Sequence, residues 1–258
     1  MNSIEKLKKA IRGRTCCVIS KGKSVEELEK KIEMFRGKNI CWVIQNRFDY
    51  IEDAILRKIG ETVDIVSDCA TVSKIEIYEP EVRFPRFYDY FMRGTDGILA
   101  TSELVLEQCL GEVGRHDVRE TFNKKIVTID KLFAENDCDP IVWDKPPNSF
   151  TLLLAFLIAG QAKKIIVFGL DGARTGQKIL ESYYNTKAVT GERRLAFGDD
   201  RPGSVVGDGK DFIDRWERIF QAYKTSFNNQ DVEIFNCSPI TIFNTFKKIT
   251  YDQILGEL

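Results

Sequence analysis

The sequence predicts an α/β fold: a single Rossmann-like domain over residues 1–258, with a mostly parallel sheet flanked by helices. Three observations lead to this fold class. Short apolar runs alternate with longer amphipathic stretches, which is the pattern of repeated βα units. The short runs are apolar throughout, as expected for strands buried on both faces of a sheet. The length of 258 residues, with 43% hydrophobic and 30% charged residues, suits one packed domain.

The apolar runs predict the strands, and the stretches between them predict the helices. Strands are expected at Cys16–Ser20, Ile40–Ile44, Val63–Ser67, Gly97–Ala100, Lys125–Ile129, Lys164–Gly169 and Glu233–Asn236. Helices are expected at Val25–Phe35, Tyr50–Ile59, Ser102–Leu110, Phe150–Gln161, Lys210–Lys224 and Ile240–Lys248. The stretch 188–211 is rich in glycine and charge and has little periodicity, which indicates a long loop of the kind that often forms a lid.

Composition excludes several classes of function. A formal net charge of −1 gives no overall field that would attract nucleic acid. The seven cysteines include no Cys-x-x-Cys pair and indicate reduced structural thiols. A single histidine, His116, gives little support to a histidine metal site or a catalytic triad. With no signal-peptide core and no apolar run of bilayer length, we expect a cytoplasmic protein, and peripheral membrane contact stays open.

The loop after the first predicted strand contains Lys21, Gly22, Lys23 and Ser24. Ser24 with Glu27 predicts a capping box, so the loop leads into a helix N-terminus where free N–H groups favour a phosphate. The two lysines would add charge. The alternative is an ordinary βα turn with exposed lysines. The letters Gly-Lys-Ser do not make a Walker A motif, because a cysteine stands where that motif requires its first glycine.

Polar residues follow other predicted strands, where open α/β sheets bind ligands. Asn46 could bind a base or ribose, or act as a turn residue. Asp68 could bind a hydroxyl or a metal, or cap a turn. Asn148 and Ser149 begin an apolar helix, and Asp171 follows the next strand, so these three residues are expected at the same edge of the sheet. This convergence predicts a functional site there.

Three weaker candidates complete the set. The aromatic run 84–91 either packs or forms an acceptor-binding wall, and its arginines, Arg83, Arg86 and Arg93, could pair with an acidic substrate. His116 lies in a charged segment and is expected at the surface. The loop Asn236–Pro239 is either a phosphate or base contact or a serine-capped helix start.

Four stretches together resemble a known group of enzymes. They are VISKGKSVEEL (18–28), VIQNRF (43–48), NSFTLLLAFLIAGQAKKIIVFGLDG (148–172) and IFNCSPITIFNTF (234–246). Each is similar to one segment of that group. In chain order, these segments are a strand followed by Gly-x-Gly-Pro-Ser-Leu, a strand followed by Asn, a helix and strand ending in Gly-x-Asp, and a closing Cys-Pro-Asn-Ser. This group comprises the bacterial sialyltransferases of glycosyltransferase family 42 and the related motility-accessory-factor-like glycosyltransferases. The third stretch is the specific one.

The resemblance implies a Rossmann-like domain with a lid at about 186–209, a CMP-sugar donor, a glycan or protein acceptor, and a homo-oligomer. It places Lys21, Gly22, Lys23 and Ser24 at the donor phosphate. It places Asn46, Asp68, Asn148, Ser149 and Asp171 around the nucleotide. It places Tyr183 or Tyr184 at the phosphate of the leaving CMP.

The sequence departs from the family pattern at the expected catalytic base. Where the family has a histidine in a Gly-His-Ser context, this chain has Val206-Gly207-Asp208-Gly209, and Asp208 is the candidate base. The leading expectation is a glycosyltransferase that needs neither a metal nor another cofactor. The alternatives are an ATP-dependent diphosphotransferase of the pterin diphosphokinase type, with Asp68 and Asp171 as magnesium partners, and a non-catalytic nucleotide- or glycan-binding protein.

Overall fold

The computed structural model describes residues 2–20, 22, 24–45, 54–68, 97–103, 125–136, 149–171, 210–239, 241, 246–256 and 258. They form one sheet whose strands are β1 (Thr15–Ile19), β2 (Ile40–Gln45), β3 (Ile65–Asp68), β4 (Ile98–Thr101), β5 (Ile126–Thr128), β6 (Lys164–Phe168), β7 (Glu233–Asn236) and β8 (Lys247–Lys248). The strand order is β5-β4-β3-β2-β1-β6-β7-β8, and every neighbouring pair is parallel. The predicted fold class, an α/β arrangement around a mostly parallel sheet, is confirmed.

The strand order reverses direction once. The chain begins in the middle of the sheet, builds outward from β1 to β5, and then returns to place β6 on the other side of β1. In doubly wound sheets such a reversal opens a crevice between the loops that leave the two central strands. Here the reversal lies between β1 and β6, so the topology predicts a crevice at their carboxyl ends.

Helices cover both faces of the sheet. The α-helices are α1 (Ser3–Ile11), α2 (Val25–Lys31), α3 (Ile129–Ala134), α4 (Ser149–Ala159), α5 (Lys210–Ser226) and α6 (Tyr251–Leu255), and 3-10 turns lie at Ile32–Phe35 and Leu56–Ile59. One apolar core lies between the sheet and α1, α3, α4 and α5, and the other lies between the sheet and α2, the two 3-10 turns and α6. Alternate residues of β1 supply the two cores, Cys16 and Val18 the first and Cys17 and Ile19 the second.

Helix α4 is the most deeply buried helix of the described chain. All of its side chains from Phe150 to Ala159 are buried, which is the expected environment for a helix that is apolar all round. It lies in the first core beside α1, α3 and α5. The next strand, β6, starts a few residues later, so α4 begins on the side of the sheet where the parallel strands end.

An ion pair between Arg14 and Asp64 lies at the opposite edge of the sheet, where the strands begin. Arg14 donates to both carboxylate oxygens of Asp64, at 2.6 and 2.8 Å, and also to the carbonyls of Ala10 and Ile40. The Asp64 carboxylate in turn accepts from the Trp42 backbone N–H at 2.8 Å. Burial by itself lowers the pKa of Arg14, but the hydrogen bonds and the charge of Asp64 outweigh it, and the pKa lies above its ordinary value. This cluster joins the end of α1 to the starts of β2 and β3.

The cysteines in the described residues are free and buried, in agreement with their prediction as structural thiols. They are Cys16, Cys17, Cys41 and Cys237. Burial raises the pKa of Cys17 well above its usual value and that of Cys237 to about 12. A hydrogen bond with Cys16, together with burial, raises the pKa of Cys41. Because the thiolate is the reactive form, these side chains act as small apolar residues.

The helix predicted at Ile240–Lys248 is wrong at its end. Lys247 and Lys248 form β8, which pairs with Phe235 and Asn236 of β7. The preceding Phe246 is buried in the first core against the rings of Phe150 and Phe220. Burial of that ring and pairing with β7 outweigh local helix propensity. Two exposed lysines then occupy an edge strand, where charge discourages pairing with another chain.

Other differences are smaller. The prediction at Val25–Phe35 is divided into α2 and a 3-10 turn, and the described part of Tyr50–Ile59 contains a 3-10 turn at Leu56–Ile59. The prediction at Ser102–Leu110 lies outside the described residues beyond 103. Helices α1, α3 and α6 were not predicted. Two of them, α1 and α6, begin with capping boxes, which are signals that the sequence does contain.

Candidate functional site

The candidate site lies where the loops after β1 and β6 meet. Hydrogen bonding between the β1 and β6 segments continues past the end of β1, because the Ser20 N–H donates to the Phe168 carbonyl at 2.8 Å. The Gly22 N–H then donates to the Gly169 carbonyl, also at 2.8 Å. The two loops therefore leave the sheet side by side, at the point where the topology predicts a ligand crevice.

Two glycines allow this close approach. Gly169 has a left-handed backbone with φ of +73°, a conformation that favours glycine. A Cβ on Gly22 would lie 2.5 Å from the Gly169 carbonyl oxygen and 2.4 Å from Oδ2 of Asp171. No side chain fits between these atoms, so the contact between the two loops depends on glycine at position 22.

Asp171 joins the two loops. Its side chain is buried, with 2% of the residue exposed, and the carboxylate accepts two hydrogen bonds from Ser24. The Ser24 N–H donates to Oδ2 at 2.8 Å, and the Ser24 hydroxyl donates to Oδ1. Hydrogen bonds to a charged acceptor are stronger than neutral ones, and here both come from one residue.

The capping box predicted for Ser24 and Glu27 is therefore wrong. Ser24 has helical backbone angles, φ −62° and ψ −8°, and its side chain makes no cap bond to α2. A cap residue has extended backbone angles, which Ser24 lacks, and the Glu27 N–H that the cap would bind donates to the Ser24 carbonyl at 3.1 Å instead. The Ser24 hydroxyl donates to Asp171. Sequence spacing could not reveal this partner of Ser24, which is 147 residues away in the chain.

The same arrangement bears on the predicted phosphate site. The backbone N–H groups of Gly22, Ser24 and Val25 already donate to Gly169, Asp171 and the Gly22 carbonyl, respectively. A helix N-terminus favours a nearby negative charge, and here the Asp171 carboxylate supplies that charge. The predicted role of this loop at a phosphate stays a prediction.

The neighbouring strand β2 contributes Gln45. The Ser20 hydroxyl donates to the Gln45 side-chain oxygen at 2.5 Å, which fixes the orientation of that amide at the end of β2. Sequence reasoning selected Asn46, one residue further on, which lies outside the described residues. Gln45 could have been found from the sequence, because it directly follows the predicted apolar strand Ile40–Ile44.

On the other side, the end of β7 holds the β6 loop. The Leu170 N–H donates to the Ser238 hydroxyl at 2.8 Å, and the Leu170 carbonyl accepts from Thr241 Oγ1 at 2.7 Å and from Asn236 Nδ2 at 3.3 Å. All three polar residues are buried. The structure therefore gives the Asn236–Pro239 segment a role in fixing the loop that carries Asp171.

Further along the edge, the other strands also end in polar residues. Asp68 is the register partner of Thr101, and Thr101 is the register partner of Thr128. Thr128 caps α3 and donates to Glu103 at 2.7 Å. Ser149 is the first residue of α4, and the position of that helix puts it on the same side of the sheet. The backbones of Asp68, Ser149 and Asp171 thus all lie at the edge where they were predicted.

The remaining predicted site residues lie outside the described residues. They are Lys21, Lys23, Asn46, Arg83, Arg86, Asn148, Tyr183, Tyr184 and Asp208, together with the lid at about 186–209.

Two kinds of feature are absent from the described residues. No group of three or more His, Cys, Asp or Glu side chains within the described ranges could hold a metal ion. None of the helices in the described part of the chain has the length and apolar character needed to cross a bilayer.

The four stretches that carry the family resemblance come together in space. They include the carboxyl ends of β1, β2, β6 and β7, and the order β2-β1-β6-β7 makes these strands consecutive neighbours in the sheet. Comparison of the chain with family models, curated proteins and solved structures gives no match. The functional interpretation therefore depends on the sequence pattern and on the geometry of this edge.

Proposed function

We propose that the chain is a glycosyltransferase that uses a nucleotide-activated sugar, with a CMP-linked sugar as the leading donor. One observation carries the proposal. The strand order brings together the carboxyl ends of β2, β1, β6 and β7, from which four loops leave, around the position where that order reverses. These are the loops on which the sequence resembles a family that uses CMP-sugars, and doubly wound sheets bind nucleotides at such points.

The described residues would bind the nucleoside part of the donor. The Asp171 carboxylate accepts two hydrogen bonds from Ser24, and a carboxylate has capacity for about two more. Those positions suit the hydroxyl groups of a ribose or the amino group of a base. Gln45 is held by Ser20 at the next strand end and offers an amide of fixed orientation.

The chemical step is assigned to residues outside the described ranges. In the proposed reaction the bond between the sugar's anomeric carbon and the donor phosphate oxygen breaks. The acceptor hydroxyl oxygen forms the new bond to that carbon, its proton passes to Asp208, and CMP leaves. Tyr183 or Tyr184, with Lys21 and Lys23, would stabilise the charge on the departing phosphate. This mechanism assigns no step to a metal ion.

A thermal-shift screen tests the proposal. CMP, CDP, UDP, GDP and ATP are each added with and without Mg²⁺. A ligand at 100 times its dissociation constant stabilises the fold by about 2.7 kcal/mol. For a chain of this size that corresponds to a rise in Tm of roughly 5–10 °C. We expect CMP to stabilise the protein without Mg²⁺. Stabilisation by ATP only with Mg²⁺ would support a diphosphotransferase instead, and no stabilisation by any nucleotide would contradict nucleotide binding.

Matched variants locate the site. Asp171→Asn should weaken CMP binding by about tenfold or more, since it removes the charge that accepts hydrogen bonds from the ligand. Asp64→Asn removes another hydrogen-bonded carboxylate, at the opposite edge, where it pairs with Arg14. It should lower stability and leave CMP affinity unchanged. Equal affinities in the two variants would exclude the Asp171 site. Asp208→Asn should abolish transfer while CMP still binds.

A further inference from the structure

Residues at and after the end of β7 bind both backbone polar groups of Leu170, its N–H and its carbonyl. Ser238 binds its N–H, and Thr241 and Asn236 bind its carbonyl oxygen. The three side chains also bind one another or their own backbone. Asn236 donates to Thr241 at 3.0 Å and accepts from the Ser238 N–H at 3.0 Å. We name Asn236, Ser238 and Thr241 the β7 clamp.

The position of Leu170 gives the clamp its importance. Leu170 lies between Gly169, which receives the Gly22 N–H, and Asp171, which receives both donors of Ser24. The loop is thus fixed on one side by the β1 loop and on the other by the β7 clamp. With both backbone groups of Leu170 held, the Asp171 carboxylate has little freedom to move away from Ser24.

The clamp is directed at the loop and not at a ligand. Asn236, Ser238 and Thr241 are 1%, 3% and 8% exposed, and each makes at least one of the hydrogen bonds to Leu170. Both N–H groups of the Asn236 amide are used, one on Leu170 and one on Thr241. The sequence had left open a direct phosphate or base contact for this segment. The geometry favours an indirect role.

We propose that the β7 clamp is a set of positioning residues for the nucleotide site. It sets the place of the Asp171 carboxylate relative to Ser24, and it thereby sets the affinity for the nucleotide. The inference depends on the proposed function for its binding readout, but the mechanical link from Ser238 through Leu170 to Asp171 and Ser24 can be measured without any ligand.

Isosteric variants separate positioning from stability. Thr241→Val removes one clamp hydroxyl, and Thr241→Ser keeps it. Thr128→Val is the matched control, because Thr128 is also buried and hydrogen-bonded but lies at β5, four strands away from β1. Ser238→Ala is a second clamp variant that leaves a small side chain. Loss of one such hydrogen bond corresponds to roughly a fivefold change in an equilibrium constant.

Two measurements are made on the chain of residues 1–258. Amide hydrogen exchange of Ser24 should be about fivefold faster in Ser238→Ala and Thr241→Val than in the wild type, with no change in Thr128→Val. The dissociation constant for CMP should rise by a similar factor in the same two variants, and Thr241→Ser should restore it. Unchanged Ser24 exchange in both clamp variants would overturn the inference. If exchange changes but the wild type binds no CMP, the proposed function fails and the mechanical link stands.

Discussion

Replacing Gly22 with alanine tests whether the two loops meet as described. The new Cβ would lie 2.4 Å from Asp171 Oδ2, 2.6 Å from its Cγ and 2.5 Å from the Gly169 carbonyl oxygen. All three distances are too short for a carbon atom, and one of the atoms belongs to the backbone. Gly22 is not among the glycines with positive φ, so the cost of the methyl group is steric and not conformational. Either the β1 loop or the β6 loop must move.

The structure gives the size of the effect. Overpacking of a well-packed site costs about 1–3 kcal/mol. Separation of the loops also weakens the hydrogen bonds from Ser24 to the Asp171 carboxylate, and a hydrogen bond to a charged group contributes about 1.5–3 kcal/mol. Because relaxation relieves part of the clash, we expect Gly22→Ala to lower the free energy of unfolding by about 2–4 kcal/mol. In a chain of this length the loss in Tm is roughly 5–15 °C.

Gly256→Ala is the control, because its backbone has negative φ of −72° and its Cβ would meet its nearest neighbour at 3.5 Å. The control should change stability by less than about 0.5 kcal/mol. Urea denaturation of both variants beside the wild type gives the two values. Equal stability of Gly22→Ala and Gly256→Ala would show that the β1 and β6 loops are not in contact, and the site as described would be wrong.

Two further predictions concern the rest of the fold. Arg14→Lys should lower the free energy of unfolding, measured by urea denaturation, by about 2 kcal/mol, because one ammonium group cannot bind both oxygens of Asp64 and two carbonyls together. Arg36→Lys is the control. Arg36 lies in an exposed ion pair, so this change should have no measurable effect. The free energy of unfolding should fall above about pH 8.5, because unfolded thiols lose their protons there while burial raises the pKa of Cys237 to about 12. Cys237→Ala should flatten that decline between pH 8.5 and 10, and an identical slope in the variant and the wild type would contradict the assignment.

The fold was predictable because its main signal is local. Strands that are buried on both faces appear as continuous apolar runs, and Glu233–Asn236 was located to the residue from such a run. The edge of the sheet followed from topology alone, since parallel strands end on the same side. The sequence therefore placed Asp68, Ser149 and Asp171 at the correct edge.

The hydrogen-bonding partners could not be predicted, because they depend on tertiary contacts. Ser24 has the sequence spacing of a helix cap, yet its donors bind a carboxylate that sequence alone cannot place beside it. Lys247 and Lys248 follow a segment with the composition of a helix, yet β7 offers them an unpaired strand edge. In the sequence, Asn236 and Ser238 have the composition of an ordinary loop, and their hydrogen bonds to the Leu170 backbone are visible only in the structure.

The location of Asp171 also constrains how a donor nucleotide can lie in the proposed site. A phosphate bound to Ser24 would compete with the carboxylate for the same two donors. It would also place two like charges about 4 Å apart, a repulsion of about 4 kcal/mol at the effective dielectric constant found near protein surfaces. The nucleoside, whose hydroxyl and amino groups are hydrogen-bond donors, suits the carboxylate instead. Within the proposed function, we therefore expect the nucleoside over the ends of β1 and β6, with the phosphate held away from Ser24 by Lys21 and Lys23. In this orientation Lys21→Ala should weaken the binding of CMP more than that of cytidine, whereas Ser24→Ala should weaken both alike because Ser24 positions the Asp171 carboxylate. A Ser24→Ala defect confined to CMP would contradict the orientation.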